Sequence, residues 1–274
     1  PKVSINNCPN CVPFSLTTNK GEIKAVYLIG ENPVLSDPDA SHVKESLETL
    51  ELLVVQDIFL TETAQLADVV LPSTSFAEKD GTFTNTERRV QRVRKAIEPV
   101  RGTEPDWWIT CQIAQRMGAS GFDFEHPSQI MDEIASLTPS YGGISYSRLE
   151  NGGLQWPCPT VDHPGTPVLH AYVFATRGGR GKFIPLQYRA PLELPDKDYP
   201  LTLTTGRSLY QYHTGTMTRK VAGLNILRGE ELVEINPQDA LALEITNGDI
   251  VRVTSRRGEA RAIAKVTESS PPGV

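Results

Sequence analysis

Cysteine is scarce in this chain, four residues in 274, which excludes a disulfide framework. Positive charge is in deficit: 27 Lys and Arg face 33 Asp and Glu, a net −6, the wrong balance for a general nucleic-acid binder. No apolar run approaches the roughly 18 residues of a membrane span. Neither Gly-x-Gly-x-x-Gly nor a phosphate-loop motif occurs, so an ordinary NAD or ATP fold is disfavoured. No Ser-His-Asp, Cys-His or paired-carboxylate arrangement stands out for nucleophilic or acid–base catalysis. The chain opens at Pro1, its first methionine is Met117, and no signal peptide is visible. It ends at Val274, just after a strand-like run, so the expectation is an internal or truncated piece of a longer polypeptide, soluble and cytoplasmic.

What is present suits a globular chain. Hydrophobic residues make up 39% and charged residues 22%, enough to bury a sizeable core in one large domain or two ordinary ones. Residues 198–274 hold nine Lys/Arg and nine Asp/Glu, whereas residues 1–197 hold 18 and 24 and carry the whole net charge. The texture changes at the same place. Before it, apolar runs at 24–29, 51–55 and 68–71 alternate with helical patterns at 38–50 and 61–67. Strands separated by helices with short connections predict a parallel sheet with helices on its faces. Further helices are expected at 106–117, stopped by Gly118, and at 127–137, opened by Pro127 and Ser128. After the change, strands are expected at 200–205, 232–235, 249–254 and 259–266, with tight turns at Asn247-Gly248-Asp249 and Arg257-Gly258 and a helical turn at 235–240. The expected fold class is α/β: a Rossmann-like parallel sheet with flanking helices over 1–197, then a truncated β-barrel over 198–274.

Several clusters could carry chemistry. In open α/β sheets ligands sit beyond the carboxyl ends of the strands, and here those ends present Glu31/Asn32, Gln56/Asp57 and Ser73/Thr74. Such residues can bind a nucleotide; equally they are common turn formers, and spacing does not separate the two readings. Cys8-Pro9-Asn10-Cys11 has metal-ligand spacing but no second pair, and Cys111 and Cys158 stand alone. The arginines between 88 and 101 are interspersed with Glu87 and Glu98 and read as a solvated face with local ion pairs. Arg177-Gly178-Gly179-Arg180-Gly181 lies between two apolar runs, Tyr172–Phe174 and Lys182–Ile184, and reads as a hairpin rather than an RNA-binding tract. Gly206-Arg207 with Tyr210, Tyr212, His213 and Thr214 is the densest polar and aromatic cluster, and its arginine suits a phosphate.

In order and spacing, a set of strings resembles the C-terminal half of the catalytic subunit of molybdopterin oxidoreductases, the formate dehydrogenases in particular. They are Tyr27–Pro33, Val54–Thr61, Ala67–Pro72, Glu78–Gln91, Pro105-Asp106-Trp107, Leu154–Pro159 and Thr205–Thr214. Leu154–Pro159 points toward formate dehydrogenases rather than nitrate or dimethyl-sulfoxide reductases. The resemblance implies a bis-(molybdopterin guanine dinucleotide) on molybdenum or tungsten. By similarity, Asn32, Gln56 and Asp57 would contact the nucleotide, Lys79 would lie near its phosphates, and Asp106 would accept from the guanine edge. Thr205, Gly206, Arg207, Ser208, Leu209, Tyr210, Tyr212, His213 and Thr214 would cover the pterin and diphosphate. The second domain would be a double-psi barrel. A [4Fe-4S] cluster and the metal-ligating cysteine or selenocysteine would lie upstream, so no catalytic or metal residue is expected here, and the fragment alone is expected to be inactive. Implied partners are formate and carbon dioxide, the rest of the subunit, and electron-transfer subunits with iron–sulfur or flavin centres. Another molybdopterin oxidoreductase, nitrate reductase-like, and a pterin-free scaffold like the large iron–sulfur subunit of NADH dehydrogenase remain the alternatives.

Overall fold

The computed structural model describes residues 23–274 apart from 38, 192, 193, 230 and 257. In chain order the elements are β1 (Ala25–Ile29), α1 (Pro33–Ser36), α2 (Ala40–Glu48), β2 (Leu52–Asp57), β3 (Val69–Pro72), β4 (Gly81–Thr84) and β5 (Arg89–Val93). There follow α3 (Asp106–Arg116), α4 (Pro127–Leu137), α5 (Tyr146–Leu149), β6 (Leu154–Gln155), α6 (Ala222–Leu227), β7 (Leu232–Ile235), α7 (Pro237–Ala242), β8 (Ile250–Ser255) and β9 (Gly258–Val266). Two compact units emerge. One comprises the described residues up to Val55, Leu60–Val69 and Gln187–Val274; the other comprises Gln56–Phe59 and Val70–Leu186.

The first sheet has the order β1-β2-β3. Asp68 N–H donates to the Leu53 carbonyl and Ser73 N–H to that of Asp57, so β2 and β3 advance in the same sense. β2 is the buried strand. Leu53 and Val55 fill the interior, and so do the polar Gln56 and Asp57 at its end. Helix α2 starts where the Asp39 carboxylate accepts from His42 N–H at 3.2 Å. It buries Val43 and Leu47 at a spacing of four. The expected helix at 61–67 shrinks to a single 3-10 turn, Ala64–Leu66, with the Thr61 hydroxyl accepting from Ala64 N–H.

The second sheet, β4-β5-β6, is a correction. The 88–101 stretch was expected as a charged solvated face, yet residues 89–93 are a strand paired antiparallel with β4, Phe83 opposite Gln91 and Thr84 opposite Val90. Its charges do form local ion pairs: Arg92 with Asp80 and Glu150, Arg94 with Glu150, Arg89 with Glu87, and Lys95 with Glu98. The pattern hid the strand because Val90 alone faces a core, formed with Met131, Ile144, Tyr146, Leu149 and Cys158. Helix α4 brings Met131 into it; its start is capped by His126, which accepts from Ser128 N–H while Gln129 accepts from His126 N–H. The loop after β6 passes so close to Gly143 that an added Cβ there would overlap the Thr160 carbonyl.

The third sheet has the order β7-β9-β8, with β7 parallel and β8 antiparallel to β9. Gly248 takes a positive φ of 95°, as its turn requires. Asn236 caps α7 by accepting from Gln238 N–H at 2.9 Å and donates to the Ser270 carbonyl at 2.7 Å. Among the described residues this sheet is open, and no closed barrel forms. Two further expectations fail. Residues 200–205 are irregular and exposed, not a strand. The hairpin around Arg177–Gly181 has one cross-bond, Phe174 N–H to the Gly179 carbonyl, and no ladder. In both cases the strand formers are exposed and pair with no strand among the described residues. Arg257 and the Cys8-x-x-Cys11 pair lie outside the described residues.

Candidate functional site

One cluster forms where β2 ends and α3 begins. Pro105 sets an extended φ of −62° and ψ of 143° at the N-cap, and Asp106 is the first helical residue, where a carboxylate suits the helix dipole. Its Oδ1 accepts from Gln56 Nε2 at 2.6 Å, and its Oδ2 accepts from Lys79 Nζ. The Ser73 side chain also hydrogen-bonds it. Burial alone would push the Asp106 carboxyl upward; the bonds from Lys79 and Gln56, the Lys79 charge and Ser73 outweigh this and hold it below the usual carboxylate value. The carboxylate is therefore ionised and half-buried, an acceptor with donors on two sides.

Lys79 is placed by the turn before it. Ser75 caps the 3-10 turn Phe76–Glu78, and the buried Glu78 carboxylate accepts from Ser75 N–H at 2.7 Å and Val100 N–H at 2.8 Å. Bonds from the Ser75 N–H and hydroxyl, then from Val100, hold the Glu78 carboxyl low. A cavity of about 230 Å³ adjoins the pair, with Lys79 and Asp106 on its wall among Phe76, Trp107, Met131 and Tyr146. Beside Ser73, the buried Thr74 hydroxyl has no hydrogen-bond partner among the described residues.

A second cluster belongs to the other unit. Asn32 follows Gly30, whose φ is 64°, and is buried. Its Oδ1 accepts from Thr63 N–H at 3.2 Å and the Thr63 hydroxyl at 2.7 Å. Its Nδ2 donates to Glu62 at 2.8 Å and to the Thr216 hydroxyl at 3.4 Å. The Asn32 bond is the main cause holding the Glu62 carboxyl low. Glu62, Thr61, Thr214, Thr216, Arg219 and Lys220 line a cavity of about 240 Å³.

The expected site residues thus sort into groups. Gln56, Lys79 and Asp106 meet. Asn32 and Thr214 belong to the second cluster, Asn32 through its bond to Thr216 and Thr214 on the cavity wall. Asp57 holds its own loop, accepting from Phe59 N–H at 3.0 Å. Thr205, Gly206, Arg207, Leu209, Tyr210, Tyr212 and His213 lie on an exposed irregular segment with Ser208 half-buried. His213 has a φ of 50° and packs edge-on against Tyr212 at 4.4 Å. Gln211 holds this segment, and nothing in the local sequence marks it out. It donates to the Arg228 carbonyl at 3.0 Å and accepts from the Thr218 hydroxyl at 2.7 Å. Glu62 was likewise invisible, because its partner Asn32 lies 30 residues away in the chain, whereas Ser73 stands among the strand-end residues that the sequence presents. Among the described residues no three His, Cys, Asp or Glu side chains converge as a metal site, and no helix is long and apolar enough to cross a membrane.

An ionised acceptor at a strand end, next to a lysine and a cavity, is the donor–acceptor set a nucleotide base and phosphate require. Comparison with known proteins shows the family. Residues 10–116 match the molybdopterin oxidoreductase family and residues 201–274 match the molydopterin dinucleotide binding domain. The chain belongs to the molybdopterin oxidoreductase family. It is 52% identical over 264 residues to the F420-dependent formate dehydrogenase subunit alpha of Methanocaldococcus jannaschii, covering 96% of this chain and 39% of that one. It is 50% identical over 254 residues to the F420-dependent formate dehydrogenase 2 subunit alpha of Methanococcus maripaludis, covering 92% and 38%. The acetylene hydratase from Pelobacter acetylenicus shares the fold, with a TM-score of 0.73 at 17% identity over 96% of this chain and 38% of that chain. The chain therefore spans about two fifths of the length of the curated relatives it matches.

Proposed function

We propose that this chain is the cofactor-cradling part of a formate dehydrogenase catalytic subunit. The Asp106–Lys79–Gln56 cluster carries the reading, and the two alpha subunits at 50–52% identity supply the substrate. The group to be held is a bis-(molybdopterin guanine dinucleotide), and the residues present fit it. A guanine edge offers two adjacent N–H donors, which a half-buried carboxylate such as Asp106 accepts with charge assistance. The buried Thr74 hydroxyl, next in sequence to Ser73, is one more polar atom without a partner among the described residues. Lys79 neutralises Asp106 and presents charge to a phosphate. In the other unit, Thr61, Thr214 and Thr216 with Arg219, Lys220 and the Glu62 carboxylate line a cavity whose hydroxyls and cations suit a diphosphate or pterin edge, and Asn32 donates to its Thr216 wall. Arg207 and the exposed segment through His213 would close over the same group. In this reading residues 1–197 are the Rossmann-like domain, and the open sheet of 198–274 is the beginning of a double-psi barrel.

When bound, molybdenum or tungsten in that group supplies the two-electron chemistry that takes formate to carbon dioxide and a proton. The residues of this chain bind and orient; none described here moves a proton. The electrons leave to a partner subunit with iron–sulfur or flavin centres, and the relatives' names make F420 the first acceptor to assay. The test uses the full-length subunit, purified anaerobically and assayed for formate-dependent viologen reduction alongside metal analysis. Formate-dependent reduction with molybdenum or tungsten present is expected. A metal-loaded enzyme that ignores formate would sink the substrate, and a full-length subunit without either metal would sink the cofactor.

A further inference from the structure

We propose that residues 168–186 are the surface by which this chain docks against the remainder of its own subunit, the polypeptide outside residues 1–274. The segment has no secondary structure and carries large apolar side chains in water. Tyr172 is fully exposed, Phe183 is 99% exposed, and Val168, Val173, Ile184 and Leu186 are bare as well. Within it the backbone makes three backbone–backbone hydrogen bonds among the described residues, all between Phe174, Thr176 and Gly179. None involves residues 182–186, so their amides donate to no backbone carbonyl there. Backbone amides without a carbonyl partner beside a run of exposed apolar side chains are a sticky combination, which folded proteins cover.

Charge states what covers it. From His163 to Leu186 the sequence holds Arg177, Arg180 and Lys182 and not one Asp or Glu. The complementary surface is apolar in the middle and rimmed by carboxylates. Length states where that surface comes from. The methanogen relatives carry this stretch inside chains of which it is 38–39%, and the structural neighbour carries the fold in a chain of which it is 38%. A covering surface on the same polypeptide meets the segment without the entropy cost of association. The inference rests on family membership and chain length, not on formate as substrate.

The test is made on the full-length subunit. In hydrogen exchange of the unaltered protein, the amides of Lys182, Phe183, Ile184 and Leu186 are expected to exchange about a hundredfold slower than in a free peptide. Exchange at free-peptide rates overturns the proposal. For the identity of the cover, Phe183 is replaced by the photo-cross-linker p-benzoylphenylalanine, which keeps a phenyl ring at that position. Cross-linked peptides are read by mass spectrometry from a mixture of ¹⁴N- and ¹⁵N-labelled subunits. A cross-link within one isotope to a peptide outside residues 1–274 is expected. A mixed-isotope link, a link to a different polypeptide, or one confined to residues 1–274 overturns it.

Discussion

Asp106→Asn separates a guanine acceptor from a merely structural carboxylate. The substitution keeps size and removes charge. In the folded protein it leaves the bond from Gln56 to a neutral oxygen and puts an N–H₂, which cannot accept, where Lys79 donates. Charge-assisted bonds contribute about 1.5–3 kcal/mol each. Side-chain exposures of 38% for Asp106 and 21% for Lys79 mean that water screens the pair, so the stability loss is about 1–2 kcal/mol. Binding suffers more. An asparagine offers one acceptor and turns an N–H₂ toward the second guanine donor, which removes about 2–3 kcal/mol, or roughly a 30- to 150-fold loss of affinity. The assay is calorimetric titration of cofactor-free full-length subunit with GDP and with ADP, beside a urea melt. GDP is expected to bind the parent in preference to ADP, and the variant to lose that preference. A variant that binds GDP within twofold of the parent, or a parent that does not distinguish GDP from ADP, refutes the assignment.

Three other perturbations follow from the same geometry. Asn32→Ala strands the buried Thr63 N–H and should cost about 2–3 kcal/mol in urea unfolding; a loss under 0.5 kcal/mol would show that Thr63 finds another acceptor. Gly143→Ala drives a Cβ into the Thr160 carbonyl and should destabilise by about 1–3 kcal/mol, with an unchanged melting temperature counting against the close approach. Asp106, Glu78 and Glu62 all have carboxyls held below their ordinary range of about 4. Their contribution to stability is thus complete above that range and is lost as pH falls through the lower folded values. Unfolding midpoints should hold from pH 7 to about 5 and then drop; Asp106→Asn should flatten that drop, and an identical acid profile in the variant would contradict the coupling.

The first sheet and helix α3 could be read from local pattern. Short apolar runs closed by polar residues gave β1, β2 and β3, and Pro105-Asp106 and Gly118 bounded α3 within a residue or two. These signals are visible because each is decided by neighbours along the chain: alternation, capping and turn chemistry. The same locality explains why Gln56 and Asp106 could be nominated separately from strand-end and motif positions, 50 residues apart.

What pairs with what was settled only in three dimensions. β5 carries arginines at two of its five positions, 89 and 92, and one deeply buried valine, so its composition looks like a solvated face until β4 and β6 supply the ladder. Residues 172–184 have the composition of strands and are not strands, because a strand needs a partner surface and none pairs with them among the described residues. Ser73 and Glu62 earn their roles from partners distant in sequence, Asp106 and Asn32. Sequence by itself determined which segments wish to be helix, strand or turn, since those preferences are local free energies. Tertiary structure decided which buried polar groups meet, because the desolvation that forces a carboxylate, a lysine and an amide to find one another exists only once the chain has folded.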